Sequence, residues 1–100
     1  MKITINGMTY QSDKITAAMS MDAMELNMQA LDAAASAEAL RANPAAEGAS
    51  DLLRALYKNM NEKAELICEV FGHAFTTGDL LNNITPAEMN GLLNAIVKGN

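Results

Sequence analysis

Residues 2–11, KITINGMTYQ, decide how this chain is built. Asn6-Gly7 is the strongest short signal for a two-residue hairpin, because both central positions of a type I′ turn need positive φ. With that turn, Ile5 faces Met8 and Ile3 faces Tyr10 on one side of the ribbon. Thr4 pairs with Thr9, and Lys2 with Gln11, on the other. Alternation and turn therefore specify the same register. A lone hairpin is marginal in water, so its apolar side must rest on something else. Helices are the only candidates left in the chain. The expected fold is α+β but mostly α: an N-terminal β-hairpin over residues 2–11 packed on a bundle of three to four helices.

Downstream of the hairpin, Thr16 is placed to cap a long helix over residues 17–42. Ala17, Met21, Met24, Met28, Leu31 and Ala35 recur at spacings of three and four. Beyond Leu31 the pattern thins. Leu40 is the one large apolar residue before Ser50, and alanine, which favours helix but buries little area, dominates. The Ala-rich stretch from Asp32 to Ser50 is expected to be mobile, with the helix ending near Asn43-Pro44 and a loop, PAAEGAS, after it.

Ser50 is expected to cap a helix over residues 51–71, with Leu53, Leu56, Tyr57, Met60, Ala64, Ile67 and Phe71 in one stripe. Gly72 ends it, and Thr77 should cap a short turn over residues 78–82. Thr85-Pro86-Ala87-Glu88 is a capping box with proline at the first helical position, opening a last helix over residues 86–98. The predicted core is Ile3, Ile5, Tyr10, Met24, Leu53, Leu56, Met60, Ile67, Phe71, Phe75, Leu81, Leu92 and Ile96. Phe71 and Phe75 should anchor the junction between the long helices and the last one.

At 100 residues the chain makes one domain, and half of it is hydrophobic with only four aromatic residues. Eight methionines make the expected core plastic. Twelve acidic against seven basic residues give a formal net charge of −5. That surface disfavours nucleic acid and anionic membrane, which both want concentrated Lys and Arg, and favours a protein partner. Cys68, the single cysteine, can form neither an internal disulfide nor a Cys-based zinc site, which fits a reducing cytoplasm. No secretory signal and no apolar run of bilayer length is expected.

The residues offer little chemistry. His73 lies between Gly72 and Ala74 with no Cys, Asp or second His at ligand spacing, so it reads as a connector residue. Glu65 and Glu69 near Cys68 would raise a thiol pKa, which argues for a structural cysteine and against a nucleophile. Glu62, Glu65 and Glu69 interleave with Lys58 and Lys63, as on a solvated helix face. No glycine-rich phosphate loop is present. The expectation is a binding protein without catalytic, cofactor or metal sites. Met21, Met24 and Met28 share a face that reads first as core. The alternative is a malleable binding surface of flexible thioethers.

The opening K-I-T-I-N-G-x-T-Y (Lys2 to Tyr10) and the later F-G-x-x-F-T-x-x-D-L-L run carry a resemblance. The second comprises Phe71-Gly72, Phe75-Thr76 and Asp79-Leu80-Leu81. Together they resemble the small tail assembly chaperones of long-tailed bacteriophages. The resemblance implies a protein that binds the helical tape measure protein, helps recruit tail tube subunits and leaves before the virion is complete, acting in the cytoplasm of the infected bacterial host. Self-association is a further possibility. A structural phage protein, such as a head–tail connector or minor tail component, is the alternative, and an acidic regulator or inhibitor a second one. The expected partner surface is Met19, Met21, Glu25, Leu26, Met28 and Leu31, on the side of the first helix left over from the core.

Overall fold

A computed structural model describes residues 1–42 and 48–99. Strands β1 (Lys2–Ile5) and β2 (Met8–Gln11) form a two-stranded antiparallel ribbon, followed by helices α1 (Ala17–Ala42), α2 (Ala49–Val70), α3 (Thr77–Leu81) and α4 (Pro86–Lys98). The register is Lys2 with Gln11, Ile3 with Tyr10, Thr4 with Thr9 and Ile5 with Met8, as the turn dictates. Asn6 and Gly7 both have positive φ, 53° and 79°. Ile3 and Ile5 are buried and Tyr10 is half-buried, whereas Met8, at the turn, is exposed.

α1 starts where the Met19 N–H donates to Thr16 Oγ at 3.2 Å, and it runs on as helix through the alanines to Ala42. Asn43 to Glu47, where the helix end and most of the PAAEGAS loop were expected, lie outside the described residues. Ser50 does not cap α2. The cap is Gly48, in the left-handed region at φ 115°, and the helix begins one residue earlier than Ser50. Its C-terminus closes on two bonds, Gly72 N–H to Glu69 O at 3.0 Å and His73 N–H to Cys68 O at 2.8 Å. Gly72 and His73 both take positive φ there. This is the Schellman arrangement, which satisfies carbonyls that a helix end leaves orphaned.

α3 is capped one residue earlier than expected. Thr76, not Thr77, accepts from the Asp79 N–H at 3.1 Å, and Asp79 reaches back to the Thr76 N–H. The hydroxyl needs an extended backbone at the cap, and Thr76 has it (φ −87°, ψ 162°). The box at α4 forms as its sequence requires, Thr85 with Glu88.

The core gathers where the hairpin, α2, α3 and α4 converge: Ile3, Ile5, Ile67, Val70, Phe71, Phe75, Leu80, Leu93 and Ile96 are buried. Phe75 stands edge-on to Tyr10, centroids 5.2 Å apart, and 5.5 Å from Phe71, so it joins the ribbon to the end of α2. Leu56, Leu81 and Leu92 are half-buried. Three predicted core residues are not core. Met24, Leu53 and Met60 are exposed. Leu53 and Met60 belong to a stripe that is real, but nothing covers its N-terminal part. Met24 was placed in the core by choosing the wrong phase of α1. That helix buries Ala23, Leu26 and Ala33, with Met19 half-buried against the core. Small side chains let it lie close to α2 and α4, so the large ones point away.

Two polar contacts, one buried and one partly buried, join the helices. Asn59, within α2, donates its Nδ2 to the Leu26 carbonyl of α1 at 2.9 Å. Ser20 Oγ donates to the Val97 carbonyl at 2.7 Å, joining the start of α1 to the end of α4.

Candidate protein-binding surface

The phase of α1 determines what the molecule shows to its surroundings. With Ala23, Leu26 and Ala33 turned inward, Met21, Met24, Met28 and Leu31 form an outward stripe at spacings of three, four and three. Met21 and Leu31 are 67% and 70% exposed. Unbranched thioethers adapt to partner surfaces of varied shape, and exposed apolar patches on small domains mark interaction sites. Of the expected partner residues, Met21, Glu25, Met28 and Leu31 are on the surface. Leu26, 7% exposed, is core, and Met19 is half-buried against the core. Leu26 therefore has almost no surface to offer a partner, and Met19 only part of its own. Met24, read from the sequence as core, joins the stripe.

On another side, α1 and α2 enclose an acidic cleft of about 350 Å³ lined by Asp22, Glu25, Glu62, Glu65 and Glu69, with Leu26 and Leu66 among them. Lys58 Nζ approaches Glu62 at 3.9 Å from the exposed side. Among the described residues no three metal-ligating side chains come together. Lys63, which the sequence placed on a solvated face, is buried and gives its ammonium to Asn90 Oδ1 at 3.3 Å. Burial pushes its pKa down.

Cys68 is buried, and its thiol pKa is raised by burial first and then by Asp79 and Glu65. The thiolate that a nucleophile needs is thereby disfavoured. His73 is an exposed residue of the left-handed turn after α2. No described helix is long and apolar enough to cross a membrane.

Among the described residues the fold is a β-ribbon on a small helical bundle whose surface carries an apolar stripe and an acidic cleft. The model of a family described as phage tail chaperone proteins matches residues 1–99, and this chain belongs to that family. No curated protein and no solved structure matches it.

Proposed function

We propose that the chain binds the tape measure protein and holds its apolar helices in solution until the tail closes around them. In this reading it also helps bring tail tube subunits to the assembly site, acts in the cytoplasm of the infected host and is left out of the finished virion. The observation that carries the reading is the exposed Met21–Met24–Met28–Leu31 stripe on a member of a tail chaperone family. A partner helix laid along this stripe would bury four apolar side chains of α1 against its own apolar face, as amphipathic helices do in hydrophobic grooves. Glu25, exposed on the same helix, borders the contact and favours a partner with a basic edge.

Both stripe positions chosen for the test are exposed, so a charge there leaves the fold intact. The double variant Met21→Lys/Met28→Lys should weaken capture of the tape measure protein from infected cells at least tenfold, about 1.4 kcal/mol. Undiminished capture would remove the stripe from the binding surface. Mass spectrometry of purified particles separates the assembly role from that of a structural tail component. The chain should be absent from them.

A further inference from the structure

Lys63 is the one buried charge among the described residues. It is 5% exposed, and its ammonium, with three protons to donate, meets a single acceptor, Asn90 Oδ1, at 3.3 Å. Among the described residues no carboxylate comes within ion-pair distance of it. A buried charge is ordinarily paired, because its lost hydration must be replaced. An apolar side chain of similar length would occupy this place at lower cost, so packing alone does not account for the ammonium. Lys63 and Asn90 both line a cleft of about 200 Å³ where α1, α2 and α4 meet, with Ala30, Leu56, Met60 and Met89 as its apolar walls. Asn90 and Met60 are exposed, so the cleft opens to the surface. Asn90 Oδ1 is engaged by Lys63, and its Nδ2 donates to nothing among the described residues. The wall of the cleft thus carries two donors side by side, one of them charged.

We propose that this cleft takes the carboxylate of an aspartate or glutamate side chain of a partner protein, which accepts from Lys63 Nζ and Asn90 Nδ2 together. Charge names the occupant. A carboxylate supplies the missing counter-charge and has an oxygen for each donor, whereas a basic side chain is repelled and a neutral one leaves the ammonium unpaired. The chain's own acids do not compete for the place, since Asp22, Glu25, Glu62, Glu65 and Glu69 line a different cleft. Size narrows the choice. The volume lies below the roughly 300–1,000 Å³ of small-molecule pockets, so it receives one side chain rather than a whole ligand. The apolar walls beside the donors suit a carboxylate flanked by apolar residues of the same partner segment. A dissolved anion meets the repulsion of a net −5 chain, while a side chain on a bound partner is held at the site by its neighbours' contacts. The site lies between α2 and α4, apart from the Met stripe of α1, and does not depend on the tape measure reading.

The test is an NMR titration of the full chain at fixed pH and ionic strength. Sodium acetate stands in for the side chain, and neutral acetamide of the same shape is the control. With acetate, the Met60 and Met89 methyl signals and the Asn90 side-chain amide should shift and saturate, with a midpoint between about 1 and 100 mM, the range open to a ligand of four heavy atoms. Acetamide should give no saturable shift. Lys63→Met should abolish saturation while remaining folded, as apolar replacements of buried charges do. Asn90→Ala, at an exposed position, should weaken acetate at least threefold. The tripeptide acetyl-Leu-Glu-Leu-amide should bind at least threefold more tightly than acetate, and its glutamine counterpart should not saturate. Absence of saturation by acetate, an equal response to acetamide, or parent-like binding by Lys63→Met would each overturn the site. Inorganic phosphate binding tenfold more tightly than acetate, or a tripeptide no tighter than acetate, would overturn the partner side chain as its occupant in favour of a dissolved anion.

Discussion

Lys63 shows how a single residue escapes a reading by pattern. Its place between Glu62 and Glu65 suggests a solvated helix face, yet its ammonium is turned inward to Asn90, with no carboxylate in ion-pair reach among the described residues. Burial lowers its pKa from the ordinary 10.5. Between the lowered value and 10.5 the unfolded chain binds the proton more firmly than the folded one, so this group's penalty shrinks and stability rises as pH climbs through that window. Lys63→Met keeps the stem and removes the charge. It should raise stability at pH 7 by about 1 kcal/mol in urea unfolding, and the advantage should narrow by pH 10. Phe75 presents the opposite case, a residue whose role was legible. It stands alone between two turn regions with no polar tip to satisfy, and it is buried between Tyr10 and Phe71. Phe75→Ala should cost about 3 kcal/mol, and a loss below about 1 kcal/mol in the same measurement would contradict its place in the core.

At the scale of elements, whatever had a local chemical rule could be read, and whatever depended on a neighbour could not. The Asn6-Gly7 turn and the Thr85–Glu88 box are short-range hydrogen-bond and backbone devices, and both stand where the sequence puts them. The F-G-x-x-F-T-x-x-D-L-L run is explained the same way. Gly72 supplies the left-handed residue after α2, Thr76 and Asp79 cap α3, and Phe71, Phe75 and Leu80 fill the core. It is a signature of the fold rather than of a binding site. α1 could not be resolved alone. Its large residues mark one helical phase and its alanines another, and hydrophobic size favours the wrong one. Only the closeness of α2 and α4 selects the alanine phase. Ala23→Leu, which supplies the missing bulk on the buried side, should therefore destabilise by about 1–3 kcal/mol through overpacking, measured as the shift in urea midpoint. A neutral outcome would mean that the helices have room to spare.

Across the whole molecule the surface was less legible than the core. Ile67, Phe71 and Ile96, read as core from the helical stripes, are buried in one cluster with Ile3 and Ile5 of the hairpin. Exposure of Leu53, Tyr57 and Met60 follows from a comparison of lengths: α4 has 13 residues against 22 in α2 and 26 in α1. A helix of that size cannot cover a stripe that long, and the mismatch is visible before any coordinates are. Family membership gives the class, a phage tail chaperone, and the proposed partner residues lie on the side of α1 that the alanines leave outside.

The start of α4 at Pro86 also divides the molecule by its breathing. Amide protons from Ala64 to Val70 sit under three layers and should exchange only on near-global unfolding, whereas those of α1 beyond Ala34 and of α2 before Leu56 belong to a separately opening unit. Exchange in that distal unit should be faster than in the half backed by the β-ribbon, and hydrogen-exchange mass spectrometry reads the difference directly.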